Sequence, residues 1–174
     1  MQMSELVAAL FGLAGTCVGG ATSWFANQKL NQVSLAFEMH SEFSNSECSL
    51  ARNKAYNMLQ KYPGKDFDEV SEIEGESADS MWFIARFYQR LWLAIKYKKI
   101  KTQLVPELFG EVFYHWYLMH YEEKLVSLPY QIGDNLKDLK NWLDTHTPRQ
   151  ERSRWVDHCL ALKQNMQYAE PSHS

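Results

Sequence analysis

The chain has 174 residues and a formal net charge of -3, a length that suits one packed domain with an anchor and gives no reason to expect a second domain. The weak negative charge provides no global attraction to nucleic acid or to anionic lipid, so any such binding must be local. Aromatic residues make up 14% of the chain, which favours a packed interior over a disordered chain. The three cysteines, Cys17, Cys48 and Cys159, are far apart; they suit a reducing compartment and form no metal motif.

Residues 6–28 form an apolar stretch without a charged side chain, bracketed by Glu5 and Lys29. As a helix, this stretch of about 23 residues reaches roughly 34 Å, and the hydrocarbon core of a bilayer measures roughly 30 Å. The short segment before it contains no basic residue, unlike the leading segment of a cleaved signal peptide. The sequence therefore predicts a retained transmembrane helix, and the alternative is the core helix of a soluble bundle.

Small and polar residues follow one line along this stretch, in steps of four, four, three and four that place them on one face of a helix. The members of the line are Gly12, Thr16, Gly20, Ser23 and Asn27. A GxxxG spacing from Gly15 to Gly19 lies beside it, and small residues let membrane helices approach each other closely. The line therefore indicates self-association, either as a helix contact or as the lining of a water path in a ring of copies.

Basic residues predict the orientation of the span. Lys29, Arg52 and Lys54 follow it and no Lys or Arg precedes it, so the bulk of the chain should face the cytoplasm and the N-terminus the outside. We therefore expect a single-pass protein in three parts. The parts are the span with its extension at 1–43, a cytoplasmic helical bundle at 44–170 and a disordered tail at 171–174.

The first helix of the bundle is predicted to open at Ser44, which stands three residues before Glu47 in a capping-box spacing. Pro63 and Gly64 end this helix. The segment that follows, residues 65–77, carries six acidic residues. It is predicted to be a solvated loop or a short helix.

The densest apolar pattern begins at Asp79 and predicts the core helix of the bundle. Its stripe with i, i+3, i+4 spacing consists of Ile84, Phe87, Tyr88, Leu91, Ala94 and Ile95. Lysines cluster at the end of this helix, where cations complement the negative end of the helix dipole. These lysines are Lys96, Lys98, Lys99 and Lys101. A contact of the cluster with RNA or lipid is the second choice.

The remaining sequence predicts three further helices. The first spans residues 104–126, and its inward side chains are Leu108, Phe109, Val112, Phe113, Trp116 and Met119. A short amphipathic helix follows at 136–142. The last begins at Thr147 and Pro148, with Gln150 in a second capping-box spacing. Because nothing in the sequence is strand-like, the predicted fold class is all-α.

Three stretches of the bundle resemble known proteins: the pair Ala51-Arg52, the hairpin IARFYQRLWLAIKYKKIK and the following LVPELFGEVFYHWY. They resemble a family of small bacterial proteins of unknown function that have one N-terminal membrane helix and a helical cytoplasmic bundle. In size and layout the chain also resembles the membrane-pore accessory proteins of type VI-B CRISPR systems, in which a divergent HEPN motif lies near the C-terminus.

This resemblance implies a HEPN-like bundle and an oligomeric channel in the bacterial inner membrane, which strengthens antiphage defence by damaging the membrane barrier. The implied partners are further copies of the chain, the lipid bilayer and, functionally, an RNA-guided CRISPR effector, without direct binding of nucleic acid. The positions that match the HEPN pair are Arg152 and His158.

In active HEPN nucleases, this Arg and His meet across a dimer to stabilise charge during RNA cleavage. The six-residue step from Arg152 to His158 leaves the two side chains about 120° apart on one helix, whereas Arg154 and His158 share a face. We therefore expect a structural role for the pair and no enzymatic activity. A membrane-tethered HEPN-like ribonuclease is the alternative function, and a passive membrane-anchored scaffold is the second alternative.

His115 and His120 are candidate metal ligands, because Glu111 lies four residues before His115. Five residues along an α-helix separate two side chains by about 140°, and neither Glu-x-x-His nor His-Glu-x-x-His spacing is present. We therefore expect buried, hydrogen-bonded histidines. No metal site, cofactor or nucleophile is expected.

Overall fold

The computed structural model describes the backbone of residues 3–62, 64–125, 128–129 and 131–169, and the side chains of residues 22–62, 64–125, 128–129 and 131–163. Within these ranges the chain is helical and has no β-strand, which confirms the all-α prediction. The α-helices are α1 (Met3–Ser44), α2 (Ser46–Lys61), α3 (Phe67–Glu74), α4 (Asp79–Lys96), α5 (Glu111–Trp116), α6 (Glu122–Lys124), α7 (Gln131–His146) and α8 (Arg149–Ala169). Two 3₁₀ turns, Gly75–Ala78 and Thr102–Leu104, and two π-helical turns, Pro106–Gly110 and Tyr117–Tyr121, complete the described elements.

Helix α1 has 42 residues and is about 63 Å long at 1.5 Å per residue. Its C-terminal part belongs to the bundle, because Ala36, Met39 and Phe43 are buried. The predicted boundary after residue 43 falls within one residue of the end of α1, but the extension of the predicted span is part of the bundle core. The predicted tail, residues 171–174, lies outside the described residues.

The junction between α1 and α2 differs from the prediction. Asn45 caps α2, because its side-chain oxygen accepts a hydrogen bond from the backbone N–H of Cys48 at 2.7 Å. The predicted capping box at Ser44 is wrong, since α1 continues through that residue. Arg52 then donates a hydrogen bond to the carbonyl oxygen of Phe43, and its guanidinium lies 4.3 Å from the centre of the Phe43 ring. Arg52, which belongs to the Ala51-Arg52 pair quoted for the resemblance, therefore donates to a carbonyl oxygen that has no partner within the last turn of α1.

The acidic segment forms the short helix α3. A capping box begins it: Asp66 accepts from the N–H of Glu69 at 2.9 Å, and the Glu69 carboxylate accepts from the N–H of Asp66 at 3.1 Å. Phe67 and Val70 are buried, so the helix covers one end of the core, whereas Glu69 and Glu72 on the same helix are exposed.

Helix α4 is the central helix of the bundle, as predicted. Five of the six predicted stripe residues are buried, and Ala94 is partly buried. The rings of Phe87 and Phe43 lie 4.7 Å apart, and the rings of Tyr88 and Phe113 lie 5.0 Å apart. These aromatic contacts join α4 to α1 on one side and to α5 on the other.

Helix α4 runs antiparallel to α1. Arg90 in its middle pairs with Glu42 near the end of α1, whereas the loop after its C-terminus contacts Gln32, more than two turns earlier in α1. The C-terminal end of α4 therefore points toward the exposed part of α1. Helix α3 and its carboxylates precede α4 in the chain and lie at the opposite end, about 27 Å away along an 18-residue helix.

Two predictions for the C-terminal half are wrong. Val112, expected inside, is 39% exposed, because the π-helical turn at Pro106–Gly110 shifts the α-helical phase on which the prediction rested. The predicted capping box at Thr147 is absent: the N–H of Thr147 still bonds to Leu143, at 3.0 Å as part of the end of α7. The Thr147 hydroxyl has no partner among the described residues.

Candidate functional site

The first candidate site is the segment 22–31 of α1, which we call the exposed segment. Every described side chain in it is exposed, including Trp24 at 61%, Phe25 at 58% and Leu30 at 66%. The rings of Trp24 and Phe25 contact each other edge to face at 4.9 Å. The exposed segment therefore carries large apolar side chains that the bundle does not cover.

The predicted line of small and polar residues lies on this part of the chain. Ser23 and Asn27 belong to the exposed segment. Gly12, Thr16 and Gly20 belong to the same helix, but their side chains lie outside the described residues. Among the residues with described side chains, which leave out most of the predicted span at 6–28, no helix is long and apolar enough to cross a membrane.

The second candidate site is the predicted pair on α8. Arg152 is half-buried and donates a hydrogen bond to the backbone carbonyl of Asp144 at the end of α7, and its guanidinium lies 3.8 Å from the carboxylate of the same residue. The carboxylate also accepts from the hydroxyl of Tyr114 and pairs with Lys140 at 2.8 Å. Arg152 therefore fastens the beginning of α8 to α7.

The charges around Asp144 fit this fastening role. Burial raises the pKa of Asp144, but the hydrogen bonds from Lys140 and Tyr114 and the charge of Arg152 outweigh it, so the pKa lies below its usual value. Burial and the same carboxylate raise the pKa of Tyr114. The group is a satisfied ion-pair network in which Arg152 already has its partner.

His158 lies on another side of α8. Its side chain is exposed, and its charge lowers the pKa of His115 on α5, second to the effect of burial. The described contacts of Arg152 are with α7. Within the described residues, one chain thus does not bring the predicted pair together.

The third candidate site is a histidine and aromatic cluster that sequence reasoning missed. The rings of His115 and His120 lie 6.4 Å apart, although the α-helical spacing predicted a separation of about 140° around the helix. The reason is the π-helical turn at Tyr117–Tyr121, whose i to i+5 hydrogen bonding widens the helical turn and brings residues five apart closer to one face. Tyr56 of α2 contacts both rings, at 6.2 Å from His115 and 5.5 Å from His120.

His120 is the buried member of this cluster. It is 4% exposed, and its Nε2 has no hydrogen-bond partner among the described residues. Burial, followed by the charge of His115, lowers its pKa to about 3. The expectation of buried histidines is confirmed for His120 but not for His115, which is half-buried, and the expected hydrogen bond is not found at Nε2 of His120 among the described residues.

The chemistry open to this cluster is limited. Within the described part of the chain, no group of three or more His, Cys, Asp or Glu side chains is placed to hold a metal ion. His120 is neutral over the ordinary pH range, and the rings around it are those of Tyr56, His115 and Trp116. The cluster is therefore a packing feature with a titratable group inside it.

The chain matches no protein-family model, no curated protein and no solved structure.

Proposed function

We propose that this chain is a membrane-anchored protein whose copies associate through α1 and form or gate a pore. The observation that carries the proposal is the exposed segment, where a helix leaves the bundle with Trp24, Phe25 and Leu30 uncovered. Burying apolar area is worth roughly 25 cal/mol per Å², so leaving three such side chains in water is unfavourable. A lipid interface covers them, and Trp is enriched there.

The sequence on the N-terminal side of the exposed segment supports the same anchor. Residues 6–28 contain no charge, and Lys29 follows directly, in the position of a basic residue that marks the cytoplasmic side of a span. The chain thus presents an apolar stretch, then an aromatic pair and then a lysine. This order matches the layers that a membrane helix crosses, from hydrocarbon through headgroups to water.

Self-association is supported by the line of small and polar residues. Ser23 and Asn27 do not pack on the bundle, because both are exposed. Polar side chains on a membrane helix turn toward a partner helix or toward water, and a second copy of α1 provides either. An oligomer therefore gives these residues packing partners that the described part of a single chain does not provide.

A role in CRISPR-dependent antiphage defence, through loss of membrane integrity, is the biological context that we propose on the resemblance alone. Its test compares phage plating on cells with an RNA-guided RNA-cleaving effector in the presence and absence of this chain. Equal plating efficiencies would remove the defence role and leave the membrane anchor standing.

The anchor is tested by fractionation. The full chain should sediment with membranes, resist extraction by carbonate and dissolve in detergent, whereas a variant lacking residues 1–28 should leave the membrane fraction. Recovery of the full chain in the supernatant without detergent would overturn the proposal.

Association is tested with variants of one helix. Thr16→Leu and Gly20→Leu place a large side chain on the line and should reduce both the oligomer mass in detergent and the depolarisation of cells that express the chain. Leu13→Ile, away from the line, is the matched control and should leave both unchanged. All variants should still insert, so equal masses and equal depolarisation would reduce α1 to a passive tether.

The alternative function, a membrane-tethered HEPN-like ribonuclease, receives less support. Arg152 is engaged by Asp144, and a group held in an ion pair is less available to polarise a phosphate. An RNA-cleavage assay with the full chain in detergent distinguishes the two, because product that disappears in His158→Ala would favour the ribonuclease.

A further inference from the structure

The lysines after α4 lie beside the exposed segment. The side-chain amide of Gln32 donates to the carbonyl oxygen of Lys98 at 2.8 Å, and the N–H of Lys101 donates to the carbonyl oxygen of Gln32 at 3.0 Å. Two hydrogen bonds therefore attach the loop to α1 one turn after Lys29. We call the five cations at this place, Lys29, Lys96, Lys98, Lys99 and Lys101, the basic cluster.

The basic cluster is not neutralised within the chain. Lys101 is half-buried and the other four are exposed, and within the described residues none of the five forms an ion pair with a carboxylate. Tyr97, the C-cap residue of α4, is 65% exposed. The only charged residue between 22 and 37 of α1 is Lys29 itself. This end of the bundle therefore presents positive charge and an amphipathic ring to its surroundings.

Capping of α4 does not account for this many lysines. The favourable effect of a cation on a helix end is confined to the last turn, where Lys96 already lies. Lys98, Lys99 and Lys101 follow the end of the helix. Lys98 has φ 54°, a left-handed conformation that glycine usually occupies at this position. Lys98 is therefore a non-glycine residue in a strained backbone conformation, and such residues cluster at functional sites.

The position of the basic cluster along α1 identifies its surroundings, on the assumption of the proposed membrane anchor. Gln32 lies four residues, or about 6 Å, beyond the end of the uncharged stretch at residue 28. The headgroup layer on one side of a bilayer is roughly 5–7 Å thick. The loop that is attached to Gln32 therefore lies at the depth of the lipid phosphates.

We propose that the basic cluster binds the anionic headgroups of the inner leaflet. Lysines near such a surface attract phosphate electrostatically, and Tyr97 places its ring at the interface. The acidic helix α3 lies at the other end of α4, about 27 Å away. This separation directs the positive end of the bundle toward the membrane, although the net charge of the chain is -3. The contact holds the bundle upright against the bilayer in addition to anchoring by the span.

The test uses the full chain in lipid nanodiscs of phosphatidylcholine alone, or of phosphatidylcholine and phosphatidylglycerol at a three-to-one ratio. Acetylation by an amine-reactive reagent is followed at each lysine by mass spectrometry. We expect Lys98 and Lys99 to react about threefold more slowly in the anionic discs, and high salt to remove most of the difference. Lys54, exposed on α2 and away from the basic cluster, is the internal control and should react equally in both.

A variant separates the contact from folding. Lys98→Gly with Lys99→Gln removes two charges and suits the left-handed backbone, so the bundle should remain folded while Lys96 and Lys101 lose at least half of their protection. Lys54→Gln is the matched control and should retain it. Unchanged protection in the double variant would overturn the assignment of these lysines.

The remaining outcomes decide against the proposal in distinguishable ways. Equal reactivity in both kinds of disc removes the headgroup contact and leaves the anchor intact. Protection by single-stranded RNA in neutral discs, with none from phosphatidylglycerol, assigns the basic cluster to nucleic acid. Failure of the full chain to enter either disc overturns the membrane anchor and the headgroup contact with it.

Discussion

Gly110 is a buried position at which the bundle leaves no room for a side chain. A Cβ at this position would overlap the indole ring of Trp155 on α8, and both residues are buried. We expect Gly110→Ala to lower the free energy of unfolding by about 1–3 kcal/mol, because an overpacked core must shift. The measurement is thermal unfolding of the full chain in detergent, followed by circular dichroism. Val112→Ala, two residues on at a 39% exposed position, should cost less than about 0.5 kcal/mol, and equal melting of the two variants would contradict the prediction.

Lys98 should contribute to the proposed headgroup contact but lower the stability of the bundle. The N–H groups of Lys98 and Lys99 bond to Ile95 at 2.9 Å and to Ala94 at 2.8 Å, which is the pattern of a Schellman motif with a left-handed residue. A non-glycine residue in this conformation costs roughly 1–2 kcal/mol, so Lys98→Gly should raise the melting temperature. Lys99→Gly, at a position without positive φ, should lower it or leave it unchanged. A lower melting temperature of Lys98→Gly would contradict the strain argument.

The two residues of the predicted pair on α8 should differ in their effect on stability. Arg152→Ala removes a charge-assisted hydrogen bond to Asp144 and should cost about 1 kcal/mol or more, whereas His158→Ala at an exposed site should cost less than about 0.5 kcal/mol. Thermal unfolding of the two variants measures the difference. The reverse order of costs would show that the ion-pair network around Asp144 is not what holds α8.

At the scale of elements, the π-helical turn at Tyr117–Tyr121 contributes to the pH dependence of stability. It carries His120, whose pKa falls from 6.5 in the unfolded chain to about 3 in the folded one. Between these values the unfolded chain binds the extra proton, so stability decreases as the pH falls below 6.5. By this linkage, His120 alone should lower the free energy of unfolding by about 2 kcal/mol when the pH falls from 7 to 5.

The measurement compares melting temperatures at pH 7 and pH 5. His120→Leu should melt with a smaller difference between the two pH values, and Lys54→Gln, at an exposed site on α2, is the control that should keep the full difference. Identical pH dependence of His120→Leu and the unchanged chain would refute the burial of a neutral His120.

The same turn shows why part of the candidate site could not be predicted from the sequence. Apolar periodicity predicted the central stripe of α4, because every buried residue there follows the α-helical repeat. His115 and His120 were separated by that same repeat, and only a π-helical turn unites them. The hydrogen bonds between Gln32 and the loop after α4 likewise depend on tertiary packing, for which 66 residues of separation leave no local signal. The uncharged stretch and Lys29 after it are local features of the sequence, so they could be recognised without knowledge of the tertiary structure.

At the scale of the whole molecule, stability should depend on the aromatic core between α1, α4 and α5. Phe87 is 1% exposed and Trp116 is 4% exposed, so Phe87→Ala and Trp116→Ala should each cost about 3–5 kcal/mol. If the proposed oligomer forms through α1, its mass should fall together with stability, because Phe43 of α1 packs on the same core. Phe83→Ala is the matched control at a 37% exposed position, and its melting temperature should change much less. Normal melting of both core variants would show that the core lies elsewhere.

Helix α1 is continuous from Met3 to Ser44, and no proline interrupts its sequence. No hinge therefore separates the predicted span from Phe43, whose ring packs on Phe87 and Tyr88. In the proposed oligomer, α1 moves as one rigid element, so a rotation of its part within the bilayer rotates the bundle as well. If the pore is gated by rotation of α1, the change should therefore be detectable as a rotation of the bundle outside the membrane.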